Sequence, residues 1–310
     1  MTAFSAGARR RRPGPVRVPL WVPGLALLGM LAAPAAAAPL WAVTAPGAPG
    51  TVLLMGSMHM LRPDHYPLPD RVDAAYRRAD RLVMELRPED LQPSASRAAM
   101  ARVGISAPGR TVDDLLVGKE RERARGLARA AGLRLEPLAG MEPWFAALTL
   151  YAGALTASGY DPALGLDRQL GERAARDGKP VQALETLDAQ LQLFKRLPLD
   201  IQRKMLLKTL EELPDSSAET DALAASWRAG DADALARRLA TDFEGYAGLR
   251  ARLVEDRNRA WLADIEALLQ REGTTLVVVG ALHLAGPEGL PELLAGRGHR
   301  VSRVSGAAGR

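Results

Sequence analysis

Cysteine is absent from the 310-residue chain. That excludes a disulfide scaffold, a thiolate zinc site, an iron–sulfur cluster and a cysteine nucleophile. Histidine is scarce, with four in all, so a bound metal would rely on imidazole, carboxylate or carbonyl oxygen. There is no GxSxG and no phosphate-binding glycine loop, so the usual marks of a serine hydrolase or a nucleotide-binding protein are missing. Acidic residues are absent from residues 1–38, which carry Arg9, Arg10, Arg11, Arg12 and Arg17. Removing those five arginines from the 41 basic residues leaves 36 against 36 acidic ones, so the net charge of +5 belongs to the leader. The remaining body is neutral and has no global charge to steer it to nucleic acid. What is present, 47% hydrophobic and 25% charged residues, is ordinary for a folded chain.

The order of the first 38 residues is cationic, apolar, then small, which is the pattern of a signal peptide. The apolar run at 20–33 is shorter than the ~20 residues a spanning helix needs, and Pro23 and Pro34 interrupt it. Paired arginines resemble a twin-arginine signal, but Pro13 and Pro15 break its sequence. Cleavage near 36–38 would leave one domain over 39–310, periplasmic or secreted, with no later membrane span.

Hydrophobic patterning places strands at 40–44, 51–55, 81–86, 181–184, 274–279 and 300–304, each bounded by glycine or proline signals. Residues 112–131 read as one helix capped by Thr111 and closed by Gly132. Trp144, Leu148, Tyr151 and Leu155 form one helical stripe, and residues 186–270 are almost wholly helical. The expected fold is α/β: a small sheet built from both chain ends, with a long helical middle as a cap or second lobe.

One internal echo stands out. TVLLMGSMH at 51–59 and TLVVVGALH at 275–283 share the same offsets, an apolar strand, then Gly, then His three residues on. The carboxyl ends of parallel strands are where ligands bind in open α/β sheets. Glycine permits a sharp turn there, so His59 and His283 would emerge into one crevice. Either alone would pass for an ordinary loop histidine; the matched pair points to function.

Glu85 ends the strand 81–86, where a carboxylate needs a partner if buried. Beside two imidazoles it suits a metal ligand or a general base. Glu185 shares a strand face with Val181 and Ala183. Arg257 falls on the helical stripe of Val254, Trp261, Ile265 and Leu268, so its guanidinium faces inward. It would meet a substrate anion or a carboxylate, Asp167 or Glu185. His65 reads as a surface or site-lining residue of a proline-rich loop, and His299 as structural.

On these segments the chain resembles the TraB/GumN family, whose better-known relatives include the Tiki proteins. The shared stretches include LLMGSMHML at 53–61, DRLVMEL at 80–86, GLDRQL at 165–170, DRNRAWLADI at 256–265 and VVVGALHLAGPEGL at 277–290. Ser57 departs from the threonine common there. The resemblance implies a metal-dependent, hydrolase-like site, because Tiki proteins are metalloproteases and their paired GxxH histidines and strand-end glutamate are attributed to it. By position these are His59, His283 and Glu85.

The leading expectation is therefore a metal-dependent hydrolase of peptides or another envelope component, with His59, Glu85 and His283 on a divalent ion. Imidazole and carboxylate without sulfur suit Mn, Co, Fe or Zn. Glu85, as ligand or base, Glu185 and Arg257 form the expected catalytic group, Arg257 either stabilising an oxyanion or fixing Glu185. The rival expectation is a non-catalytic envelope protein that holds haem or a saccharide on the same fold.

Overall fold

The computed structural model describes residues 38–304. The leader expected over 1–38 therefore lies outside the described residues except for Ala38. Six strands, β1 (Leu40–Thr44), β2 (Gly50–Ser57), β3 (Arg81–Met84), β4 (Val181–Ala183), β5 (Gly273–Gly280) and β6 (Arg300–Arg303), form one sheet in the order β4-β3-β5-β2-β1-β6. β4, β3, β5 and β2 are mutually parallel; at one side β1 runs antiparallel to β2, and β6 antiparallel to β1. The two longest strands pair at the centre. Their runs 52–55 and 276–279 are buried throughout, as expected for parallel strands covered on both faces.

Helices between the strands are α1 (Asp70–Arg78), α2 (Pro93–Gly104), α3 (Val112–Leu115), α4 (Lys119–Ala130), α5 (Pro143–Ala157), α6 (Leu166–Asp177) and α7 (Leu187–Lys195). They continue as α8 (Leu199–Glu212), α9 (Ser216–Ala229), α10 (Ala232–Asp242), α11 (Ala247–Arg250), α12 (Asp256–Leu269) and α13 (Leu290–Gly296). On one face of the sheet, α1, α6 and α9 pack Tyr76, Leu170 and Trp227 against Leu53, Met55, Leu276 and Val278. On the other, α12 and α13 pack Trp261, Ile265 and Leu294 against Val52, Leu54, Val277 and Val279. Each such buried side chain contributes about 1.5–3 kcal/mol. The α/β reading holds, and the helical middle carries two further apolar clusters. One joins α4, α5 and α8, and the other centres on Trp144 between α2 and α7. Among the described residues no helix is long and apolar enough to cross a membrane.

Two local expectations need correction. The helix expected over 112–131 is two helices, because Gly118 takes φ +47°, a conformation that side chains disfavour and that breaks the run. Thr111 does cap the first of them, accepting from the Asp114 amide. The stripe on α5 buries Trp144 and Leu155 but leaves Tyr151 41% exposed, with its hydroxyl on Thr220. An almost wholly apolar helix packs on more than one side, so spacing alone does not choose its inward face.

The sequence echo is not the pairing register. β2 and β5 are offset by one residue from it: Gly56 lies opposite Val279, and Ser57 opposite Gly280. A one-residue offset exchanges the faces of a sheet. Met55 accordingly faces the α6 side, whereas its counterpart Val279 faces the α12 side.

Candidate active site

All four parallel strands end at the same edge of the sheet. Glu85 follows β3 directly, Glu185 follows β4 by two residues, His59 follows β2 by two, and His283 sits in the 3-10 turn Ala281–Leu284 after β5. The glycines act here through space, not through a left-handed turn. Gly280 has φ −51°, which any residue can adopt. A Cβ placed on it would stand 3.3 Å from Glu85 Oε1, 3.6 Å from His283 Cδ2 and 3.7 Å from His59 Nε2. The two histidines and the glutamate thus converge on the single point that Gly280 leaves open.

The one-residue offset decides how each ring is held. His59 is supported from the α6 face, where its Nδ1 lies 2.8 Å from Asp167 Oδ2. The Ser57 hydroxyl donates to the other oxygen of that carboxylate at 2.5 Å. Asp167 pushes the His59 pKa up to about 9, although the side chain is 67% exposed. Gly165 lets the start of α6 press on the His59 backbone.

His283 is supported from the α12 face. The Asn258 amide nitrogen donates to the carbonyls of His283 and Glu288. Its oxygen is then left to accept from His283 Nδ1 at 2.7 Å, so His283 carries its proton on Nδ1 and its lone pair on Nε2. Burial pushes this imidazole down to about 4, so it is neutral near pH 7. The Trp261 ring packs 4.7 Å from it, centroid to centroid.

Arg257 binds the acidic part together. Nη2 donates to Glu85 Oε2 at 2.5 Å and also to Glu185 Oε1. Nε donates to Glu185 Oε2 at 3.3 Å, and Nη1 donates to His283 Nε2 at 2.9 Å. Gln190 of α7 donates to both carboxylates, and the Gly280 amide donates to Glu85 Oε1 at 2.6 Å. Burial would raise Glu85, but the positive charge of His283 when protonated, Arg257 and His59, with the Gly280 amide, holds it at about 2. At neutral pH, where His283 is uncharged, Arg257, the protonated His59 and the amide carry that stabilisation. Burial dominates at Glu185 and pushes it above the usual carboxylate range.

His59, Glu85, Glu185, Arg257 and His283, named from the sequence, therefore all meet here. Of the two acids expected for Arg257, Glu185 is its partner and Asp167 is not; Asp167 serves His59 instead. His65 is buried rather than on the surface, its Nδ1 accepting from the Arg62 amide and its ring set edge-on to Tyr160. His299 is structural, paired with Glu266 at 2.8 Å. Asn258 and Gln190 were not anticipated. Asn258 had a signal, since it falls four residues after Val254 and three before Trp261 and so shares their buried side.

The donor set suits a divalent cation. Each imidazole has Nδ1 held by an oxygen acceptor and turns Nε2 to the site, the usual support of a metal-bound histidine; at His59, whose pKa is raised to about 9, Nε2 carries a proton near pH 7 that ligation would release. Among the described residues no three such side chains already stand at bonding distance to one point. Arg257 lies between His283 Nε2 and Glu85 Oε2.

A sequence model described as the TraB/PrgY/gumN family matches residues 39–303. The Escherichia coli K12 protein named "Uncharacterized protein YbaP" is 26% identical over 241 residues, spanning 78% of this chain and 86% of its own length. A Treponema pallidum protein is 23% identical over 262 residues, covering 80% and 78%. No solved structure matches significantly.

Proposed function

As the chain belongs to the TraB/PrgY/gumN family, we propose that it is a metal-dependent hydrolase, exported to the periplasm or beyond, acting on a peptide or another envelope component. His59 Nε2, His283 Nε2 and Glu85 Oε1 would hold the ion, of the Mn, Co, Fe or Zn type. The observation that carries this reading is the approach of His59 Nε2, Glu85 Oε1 and the Cδ2 edge of the His283 ring to the point a Gly280 Cβ would fill, each ring braced at Nδ1 from a different face of the sheet. Such an ion supplies Lewis acidity towards a carbonyl and makes water acidic near neutral pH.

The protein's own groups divide the remaining work. The single lone pair of His283 Nε2 cannot serve Arg257 and an ion together, so ligation requires Nη1 to leave it. Nη2 and Nε keep Glu85 and Glu185 in place meanwhile. Glu185, its pKa raised by burial, accepts a proton from the attacking water, since a base works best when its pKa approaches the ambient pH. The freed Nη1 faces negative charge developing on the substrate carbonyl.

The test is turnover of a panel of fluorogenic peptides and esters by protein loaded with each of the four metals. Glu185→Gln is expected to lower kcat by about 10²–10⁴-fold with bound metal unchanged, whereas His283→Ala loses both. Turnover unaffected by either change would refute the assignment. Haem or saccharide binding without any turnover would favour the non-catalytic rival.

A further inference from the structure

The two outer strands of the sheet are finished differently. β6 ends the sheet with Arg300, Ser302 and Arg303, all exposed, and charge on an edge discourages pairing with another chain. β4 presents Val181, Gln182 and Ala183 and, among the described residues, has β3 as its only neighbour. Bonds to β3 use the Pro180 carbonyl and the Leu184 amide. By the alternation of a parallel ladder, the amides and carbonyls of Val181 and Ala183 therefore point outward. Among the described residues these four groups have no hydrogen-bond partner.

They open into a groove of about 790 Å³. Gly171 and Ala175 of α6 form one wall, on one face of the sheet, and Ala267 of α12 forms the other. Side chains of a strand alternate between two faces, and the small, exposed Ala175 and Ala267 stand on the two walls, while Gly171 is covered by Pro88. The lining also carries both signs of charge, Arg87, Lys179 and Arg271 with Glu89 and Asp264, which matches a polypeptide better than a uniform polyanion. Downstream, β4 runs on through Leu184 to Glu185, about 7 Å beyond Ala183 at strand spacing.

We infer that this groove takes an extended polypeptide segment as a seventh strand beside β4, delivering it to the Glu185–Arg257 end of the site. The inference rests on the hydrolase reading only in treating that segment as substrate; docking itself needs no metal and no turnover. Backbone pairing to Val181 and Ala183 supplies affinity, and the two walls select alternate side chains.

The probe is a fluorescein-labelled decapeptide of alternating threonine and valine, read by anisotropy on the His59→Ala/His283→Ala double variant, in which the proposed metal site is removed. Ala183→Pro removes only an outward amide and keeps the ladder to β3. It is expected to weaken binding about tenfold, the value of one or two backbone hydrogen bonds. Ala267→Trp fills the groove from an exposed position and is expected to do the same. N-methylation of alternate peptide nitrogens should abolish binding in one phase and spare it in the other. Equal binding by all three proteins, no phase dependence, or no binding at all overturns the inference. So does a dimer that Ala183→Pro dissociates without peptide uptake, since a second copy would then be the occupant. Loss of the hydrolase reading alone would leave the anisotropy result standing.

Discussion

Arg257→Ala is expected to cost about 3–5 kcal/mol of folding stability, the usual effect of removing one partner from a buried ion pair. Glu85 is 6% exposed and Glu185 is part-buried beside it, and the same guanidinium serves both. Without it, two carboxylates share a poorly solvated pocket with, among the described residues, only the Gln190 amide group and the Gly280 N–H as donors. Arg257→Lys should recover little. An ammonium keeps the charge but lacks the planar fork that reaches Glu85, Glu185 and His283 at once. Combining Arg257→Met with Glu85→Gln and Glu185→Gln should restore most of the loss, because no buried charge then stands unpaired. Urea denaturation followed by circular dichroism measures each value. An Arg257→Ala protein within about 1 kcal/mol of the parent, the range of an exposed pair, would show that the cluster is solvated.

Gly165→Ala is expected to disable the site from outside it. A Cβ at Gly165 would stand 2.6 Å from the His59 carbonyl carbon and closer still to its oxygen. The obstacle is backbone, so no rotamer change relieves it, and the His59 turn must move by roughly 1 Å. Misplacement of that size costs about a hundredfold in rate, and overpacking lowers stability by about 1–3 kcal/mol. Gly153→Ala is the matched control. It lies within α5, and its Cβ would meet nothing within 4 Å, so stability should rise by about 0.5–1 kcal/mol with activity unchanged. Equal activity in the Gly165 variant, measured as turnover or as metal affinity, would show that the position of His59 is unimportant.

The strands were legible where burial on both faces makes an uninterrupted apolar run, as in β2 and β5. Repetition of Gly and His at matched offsets then located both imidazoles. The registration of β2 on β5 was not legible, because it depends on how two layers of helices fill their faces, and it determines that Asp167 braces one ring and Asn258 the other. An inward Arg257 could be inferred from helical spacing. Its choice of Glu85 and Glu185 over Asp167 could not, since all three are carboxylates within plausible reach and only the fold separates them. The glycines of the two motifs were recognised for the wrong property: the site needs their missing side chains, not their backbone freedom.

Metal content measured by mass spectrometry on protein purified without chelators probes the centre itself. About one divalent ion per chain is expected in the parent and almost none in His59→Ala or His283→Ala, because a three-ligand set loses most of its affinity with either imidazole. The same metal content in the parent and in both variants would contradict the joint site of His59, Glu85 and His283.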